Sequence, residues 1–279
     1  MVLLDKHKFG LALPLLAEVT FNQMFACDVA AQKIEGFIYA DNGESPTSFY
    51  IVHPYGMSLL LGNTENAEFN LQLSTYLLNK DQLREKTEWL QVFPERWNTK
   101  LNDLLGKNLL TRKHKEEGKP YWDHVRVEEQ TRVNFKFNPG KFAAFISSHP
   151  PRNLEIRRTG EMEFQNMPGT VVPKFFWKNA PQFVEQGIGF TLHINNEPAS
   201  TAFSAYIDTR LLEFGIETAP LFRGKGFAKE TCIALINYCL NNGYEPVWAC
   251  RLENIGSYLL AQQLGFEPVR YLPFYKVNR

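Results

Sequence analysis

The residues best suited to chemistry stand at 223–228: Arg223-Gly224-Lys225-Gly226-Phe227-Ala228. Two glycines one residue apart remove the Cβ obstacle and let backbone N–H groups converge, and two cations stand among them. If a helix follows, its first turn adds free N–H groups and the positive end of the macrodipole, which favours each nearby negative charge by roughly 0.3–1 kcal/mol. A diphosphate suits that geometry. The alternative is a structural glycine turn between strand and helix. The loop is not a Walker loop, because Gly-Lys-Ser/Thr is absent, and it lacks the third glycine of a dinucleotide fingerprint. Arg-x-x-Gly-x-Ala constrains only three positions, so a chance match in a chain this long is expected on the order of one time in seven. The setting of the loop must therefore carry the argument.

That setting is legible. Residues 202–207 and 211–218 read as strands, and a helix from about 227 to 242 puts Ala228, Cys232, Leu235 and Cys239 on one face, with Gly243 as its stop. A strand at 247–252 follows. Asn254 is suited to cap a short helix ending at Leu264, and Gly265 and Phe266 lead into a last strand. Upstream, 175–184 carries a helical pattern, and 189–194 alternates into the turn Asn195-Asn196-Glu197-Pro198. In the first half, strands at 36–39, 48–52 and 56–62 form a meander, helices follow at 67–79 and 94–105, 113–119 reads as an exposed turn, and 133–137 alternates as a strand. The prolines at 150 and 151 mark a connector, which divides the chain into 1–150 and 151–279.

Whole-chain properties narrow the function. Thirty Lys and Arg balance thirty Asp and Glu, so no broad field exists to hold nucleic acid or an anionic membrane. Cys27, Cys232, Cys239 and Cys250 show no CxxC spacing and read as reduced core thiols. None of the six histidines has metal-ligand spacing, and His193 reads as a structural residue, so no metal is expected. The apolar run 9–17 is flanked by charges and has neither the length of a membrane span nor a cleavage pattern, which gives a cytoplasmic expectation.

Arg223 to Ala228 resembles the Arg/Gln-x-x-Gly-x-Gly/Ala motif of the GNAT superfamily of acyl-CoA-dependent N-acyltransferases. Asn254-x-x-Ser257, followed by Leu264-Gly265-Phe266, is similar to that superfamily's closing helix and turn. Ile216-Glu217-Thr218, Pro246-Val247-Trp248 and Asn254-Ile255-Gly256-Ser257 further resemble the bacterial group that includes the zwittermicin A resistance acetyltransferase, and Phe176-Trp177 and Phe183 extend the likeness upstream.

The resemblance implies an α+β fold: a mixed, mostly antiparallel GNAT sheet flanked by helices at 151–279, with an additional α/β domain at 1–150 that shapes the acceptor site and admits a reading as a degenerate GNAT-like unit. It implies acetyl-CoA as co-substrate and a small-molecule amine as acceptor, with no nucleic acid or membrane partner, and it admits a homodimer. By resemblance the fourth strand splays from the fifth, Ile216, Glu217 and Thr218 offer backbone hydrogen bonds to the pantetheine arm, and Arg223, Gly224, Lys225, Gly226, Phe227 and Ala228 hold the pyrophosphate. Asn254 and Ser257 would contact the CoA arm, with helix capping as the alternative for Asn254. The attacking amine needs a base, and Glu213 and Glu217 are the candidates, since alternation puts both opposite Leu212, Phe214 and Ile216. Their alternative is a pair of solvent-facing carboxylates. The position of the family's usual acid, a Tyr, is Ala261 here; Tyr258, three residues earlier, can substitute, with packing as the alternative. A non-catalytic CoA-binding protein and a transferase of longer acyl chains remain as competing readings.

Overall fold

The computed structural model describes residues 1–82, 84–118, 125–150 and 152–279. They form two compact units: Met1–Arg132 with Arg251–Glu253 and Tyr271–Arg279, and Val133–Cys250 with Asn254–Arg270. The change of unit therefore falls within a strand at 132–133 rather than at the prolines, and 150 and 152 both belong to the second unit. Pro150 follows the end of a helix at Ser148, a place where a proline can stand without making a linker. Pro151 and Lys119 lie outside the described residues.

The first unit contains β1 (Val2–Leu3), α1 (Leu13–Leu16), α2 (Met24–Ala30), β2 (Phe37–Ala40), β3 (Ser48–Val52), β4 (Met57–Gly62), α3 (Ala67–Leu77), β5 (Glu88–Phe93), α4 (Trp97–Leu105), β6 (Leu109–Leu110) and α5 (Arg112–Glu116). The expected meander forms, with β2, β3 and β4 antiparallel in register. The expected exposed turn at 113–119 is instead the short helix α5, because the Thr111 side chain accepts from His114 N at 3.2 Å and caps it. Strand β5 runs parallel to β4 for five residue pairs, Met57–Trp89 to Leu61–Phe93. One face of this sheet packs against α3 and α4 through Tyr50, Leu60, Phe69, Leu73, Leu90, Trp97 and Leu101, each large apolar side chain contributing about 1.5–3 kcal/mol by leaving water. Glu88 is buried in that core with both oxygens satisfied, by Tyr50 Oη at 2.5 Å and Tyr76 Oη at 2.6 Å.

Strand β7 (Val127–Phe137) carries the chain into the second unit, which contains α6 (Pro139–Ser148), β8 (Ile156–Arg158), α7 (Glu161–Asn166), α8 (Ala180–Gln186), β9 (Gly189–Ile194), β10 (Glu197–Ile207), β11 (Leu211–Thr218), α9 (Phe227–Asn241), β12 (Glu245–Val247), β13 (Ala249–Arg251) and α10 (Ile255–Gln263). Strand β14 (Phe266–Val277) returns to the first unit, where its end pairs with β5. A helix expected at 175–184 resolves into a 3-10 turn, Pro173–Phe175, and α8, because Asn179 caps a new start by accepting from Gln182 N. The sheet order is β12-β11-β10-β9-β8, antiparallel except for β11 and β12. The α+β class, with mostly antiparallel sheets and flanking helices, is thus the one that forms.

Candidate active site

Strand β11 hydrogen-bonds to β10 along its length, from Leu212 opposite Ile207 to Thr218 opposite Ser200. Its other edge is paired only at the start: Leu211, Leu212 and Glu213 lie beside Glu245, Pro246 and Val247 of β12. The chain then turns away, with Trp248 O accepting from Phe135 N at 3.1 Å and β13 joining β7. An aromatic wedge fills the point of divergence: Phe214 packs against Trp248 at 5.9 Å and Phe266 at 6.0 Å, and those two rings lie 5.2 Å apart. Trp248 is pinned by its Nε1, which donates to Ser257 Oγ at 3.1 Å. Among the described residues no strand pairs with the β12 side of 214–218. Ala219 N donates to Ala199 O on the β10 side, so alternation turns the N–H groups of Ile216 and Thr218 toward the open side. Glu217 Oε1 accepts Thr218 N at 3.2 Å. The Ile216 N–H is left facing the gap.

At the end of β11 a 3-10 turn, Pro220–Phe222, leads into the glycine loop. Gly224 and Gly226 both have φ +77, the left-handed region that glycine enters freely. A Cβ at Gly224 would meet nothing within 4 Å, so the backbone lies open there. Gly226 is the N-cap of α9 and has no side chain to satisfy the first-turn N–H groups. Arg152 braces the turn from outside the motif: its Nε donates to Glu230 Oε1 at 3.1 Å and its Nη2 to Lys225 O at 3.1 Å, with the guanidinium over Phe227 at 5.4 Å. Lys225 Nζ lies over the Phe222 ring at 5.2 Å. Arg223 turns back to the strand, donating from Nε to Thr218 O at 3.0 Å and from Nη2 to Glu217 Oε1 at 3.2 Å. Of the two cations expected at the anion, Arg223 therefore locks the strand end.

Glu213 and Glu217 share a face of β11 as alternation requires, but both are buried, at 5% and 8% exposure, so the solvent-facing alternative is wrong. Between them the Phe203 ring covers Gly215, where a Cβ would come within 2.3 Å of it. Glu217 is saturated: Oε2 accepts Thr170 N at 2.9 Å and Val171 N at 3.1 Å, while Oε1 takes Thr218 N and Arg223. The loop at Gly169 crosses the carboxylate so closely that a Cβ there would lie 2.4 Å from Glu217 Cδ. Glu213 stands where β12 leaves β11, opposite Tyr206, beside a one-residue bulge of β10 between Ser204 and Tyr206. Bulges of this kind sharpen the local twist and re-aim side chains.

In α10, Asn254 Oδ1 accepts Ser257 N at 3.3 Å as the cap. Ala261 is fully buried, whereas Tyr258 is half-buried with its ring 5.5 Å from Phe135. His193 Nε2 pairs with Glu163 Oε1 at 3.2 Å. Burial pushes the Cys239 thiol up to about 12 and the Cys232 thiol higher, so both stay protonated. Among the described residues no group of three or more His, Cys, Asp or Glu side chains could hold a metal ion, and no helix is long and apolar enough to cross a membrane.

A splayed parallel pair beside a glycine loop and an uncapped helix is the geometry the motifs imply, and the family model of GNAT acetyltransferases matches residues 15–275. The chain belongs to the GNAT acetyltransferase family. This acetyltransferase is 24% identical over 275 residues to the uncharacterized N-acetyltransferase YdfB of Bacillus subtilis (strain 168), covering 98% of this chain and 97% of that protein. Its fold is similar to that of a GCN5-related N-acetyltransferase-like protein from Streptococcus suis 89/1591, with TM-score 0.68 at 17% identity over 98% of this chain and 99% of the other. A tandem GNAT protein from the clavulanic acid biosynthesis pathway shares the fold with TM-score 0.57 at 11% identity, over 98% and 95% of the two chains. The enzyme is an N-acetyltransferase, and the family match extends well into the first unit.

Sequence motifs point to the loop, to β11 and to α10, but they do not reveal Arg152, the 169–171 segment or the Trp248 wedge. No sequence signal marked Arg152: Glu230 falls opposite the face set by Ala228, Cys232, Leu235 and Cys239, and its burial is seen only in the fold.

Proposed function

We propose that the second unit transfers an acetyl group from acetyl-CoA to an amine of a small-molecule acceptor by direct attack. The observation that carries this reading is the unpaired edge of β11 at 214–218, which ends at the uncapped start of α9. The pantetheine arm would lie along that edge as an added strand, with Ile216 as its backbone partner, since Thr218 N is engaged by Glu217 and Thr218 O by Arg223. Gly224, Lys225, Gly226, Phe227 and Ala228 would hold the pyrophosphate through N–H groups and the Lys225 charge. A backbone N–H aimed into the gap can polarise the thioester carbonyl and stabilise the oxyanion, an interaction worth about 2.7–4 kcal/mol of barrier in other acyl-transfer sites.

The bonding of Glu217 supports different roles for the two carboxylates. Four N–H donors occupy Glu217, which favours a positioning role: it joins the 169–171 segment, the strand end and Arg223 into one rigid floor. Glu213, at the fork of the strands, is then the proposed base for the amine proton. Tyr258 is the proposed donor to the leaving thiolate, and Ser257 acts on the arm through Trp248. Calorimetric titration of acetyl-CoA, followed by acetylation assays over a panel of small amines, tests the reading. It predicts saturable binding and turnover. Failure to bind acetyl-CoA would overturn it, and binding with no acetylation of any amine would support the non-catalytic alternative.

A further inference from the structure

Glycines at 224 and 226 leave the loop open but give its peptide planes no preferred orientation. A flip of the Lys225–Gly226 peptide turns on ψ of Lys225 and φ of Gly226, and glycine adopts either sign of φ at little cost. Among the described residues no hydrogen bond engages the N–H of Gly224, Lys225 or Gly226, and the Lys225 carbonyl has one partner, Arg152 Nη2 at 3.1 Å. Arg152 is itself fixed from three sides. Its Nε donates to Glu230 Oε1 at 3.1 Å, its backbone N donates to Glu230 Oε2 at 3.3 Å, and its guanidinium covers the Phe227 ring at 5.4 Å. Glu230 is only 3% exposed, so α9 holds the carboxylate and the carboxylate holds the guanidinium. The guanidinium is a planar fork, and bonding its Nε to Glu230 fixes the direction in which Nη2 donates.

A trans peptide carries its N–H and its C=O on opposite sides. Holding the Lys225 carbonyl toward Arg152 therefore turns the Gly226 N–H away from it. A flipped plane would point the carbonyl oxygen there instead, and a carbonyl only accepts, so it cannot bond an anion. Arg223, the arginine within the motif, does not set this plane, because it bonds Thr218 O and Glu217 Oε1. We infer that Arg152 is a positioning residue for acetyl-CoA: anchored by Glu230, it holds the Lys225 carbonyl and so fixes the peptide whose Gly226 N–H donates to the diphosphate. The inference rests on the acetyl-CoA reading and adds to it a residue outside the loop motif. Arg152 needs no contact with the ligand in this role, since its charge faces Glu230 and its effect passes through the peptide.

The test is calorimetric titration of acetyl-CoA into the full chain and into two variants, with kcat and KM measured on any amine that the parent acetylates. Arg152→Met removes the fork and leaves Glu230 buried without its cation, so the melting temperature and the affinity for acetyl-CoA are both expected to fall. Arg152→Met/Glu230→Met removes the buried charge as well. Its melting temperature is expected to recover most of that loss, whereas its dissociation constant for acetyl-CoA stays about tenfold or more above the parent's, because nothing holds the Lys225 carbonyl. KM for acetyl-CoA should rise by a similar factor, with kcat within about twofold of the parent. A purely structural ion pair would instead regain affinity together with stability. The inference is overturned if the double variant binds acetyl-CoA within about twofold of the parent, or if kcat rather than KM carries the loss. Failure of the parent to bind acetyl-CoA is a separate result, read before any variant, and it overturns the reading on which the inference rests.

Discussion

The two units repeat one order of elements, and the differences between the copies coincide with the candidate site. In the first, β2, β3 and β4 form an antiparallel meander, α3 follows and β5 returns parallel to β4; in the second, β9, β10 and β11 are followed by α9 and by β12 parallel to β11. The first unit closes its seam, because β4 and β5 pair over five residues, and it caps its helix, because Asn66 Oδ1 accepts Phe69 N at 3.0 Å. The second unit pairs for three residues, parts at Trp248 and starts its helix at Gly226 without a side-chain acceptor. One topology thus yields a packed scaffold in one copy and, in the other, a gap with unspent N–H groups. What sets the candidate site apart is not the fold but two local departures from ideal pairing and capping.

The largest effect is expected from Glu213→Gln, at the fork that only the second unit has: loss of the proposed base should lower kcat by about 100-fold to 10,000-fold, with acetyl-CoA affinity retained in calorimetry. Gly226→Asp makes the start of α9 resemble that of α3 by placing a carboxylate where the anion belongs. It should weaken acetyl-CoA binding by about a hundredfold at a stability cost of about 1–2 kcal/mol, because φ +77 is left-handed backbone that a side chain strains although only the Arg152 side chain lies near a Cβ there, at 3.7 Å. Glu217→Gln sharpens the division of labour. Its amide nitrogen would face N–H donors, so stability should fall by about 1–3 kcal/mol in denaturant melts and KM for acetyl-CoA should rise, with kcat changed less than in Glu213→Gln. Asn66→Ala, in the closed copy, should cost about 1 kcal/mol of stability and leave acetyl-CoA binding unchanged.

Much of the second unit was legible because its signals are local. Alternation at 211–218, the glycine pair, the Asn254 cap and the Gly265 stop each depend on neighbours in sequence. What escaped depends on distant ones: Glu217 is bonded to Thr170 across 47 residues and Arg152 to Glu230 across 78. Hence Glu217 read as a base candidate, although its lone pairs are engaged, and Arg223 read as an anion ligand, although it bonds the strand end. The prolines at 150–151 read as a boundary because the sequence pattern of a connector is the same after a helix as in a linker, whereas the division into compact units falls at 132–133. The repeat of element order in the first unit was suspected from its strands, but no motif marks it, since the features that would have formed one, glycines at a helix start, are absent where the helix is capped.

Amide hydrogen exchange with and without acetyl-CoA addresses the central claim most directly. The account predicts new protection at 214–218 and at the first turn of α9, with no change at 57–62 in β4. Protection that leaves 214–218 untouched, or that appears in β4 instead, would contradict it.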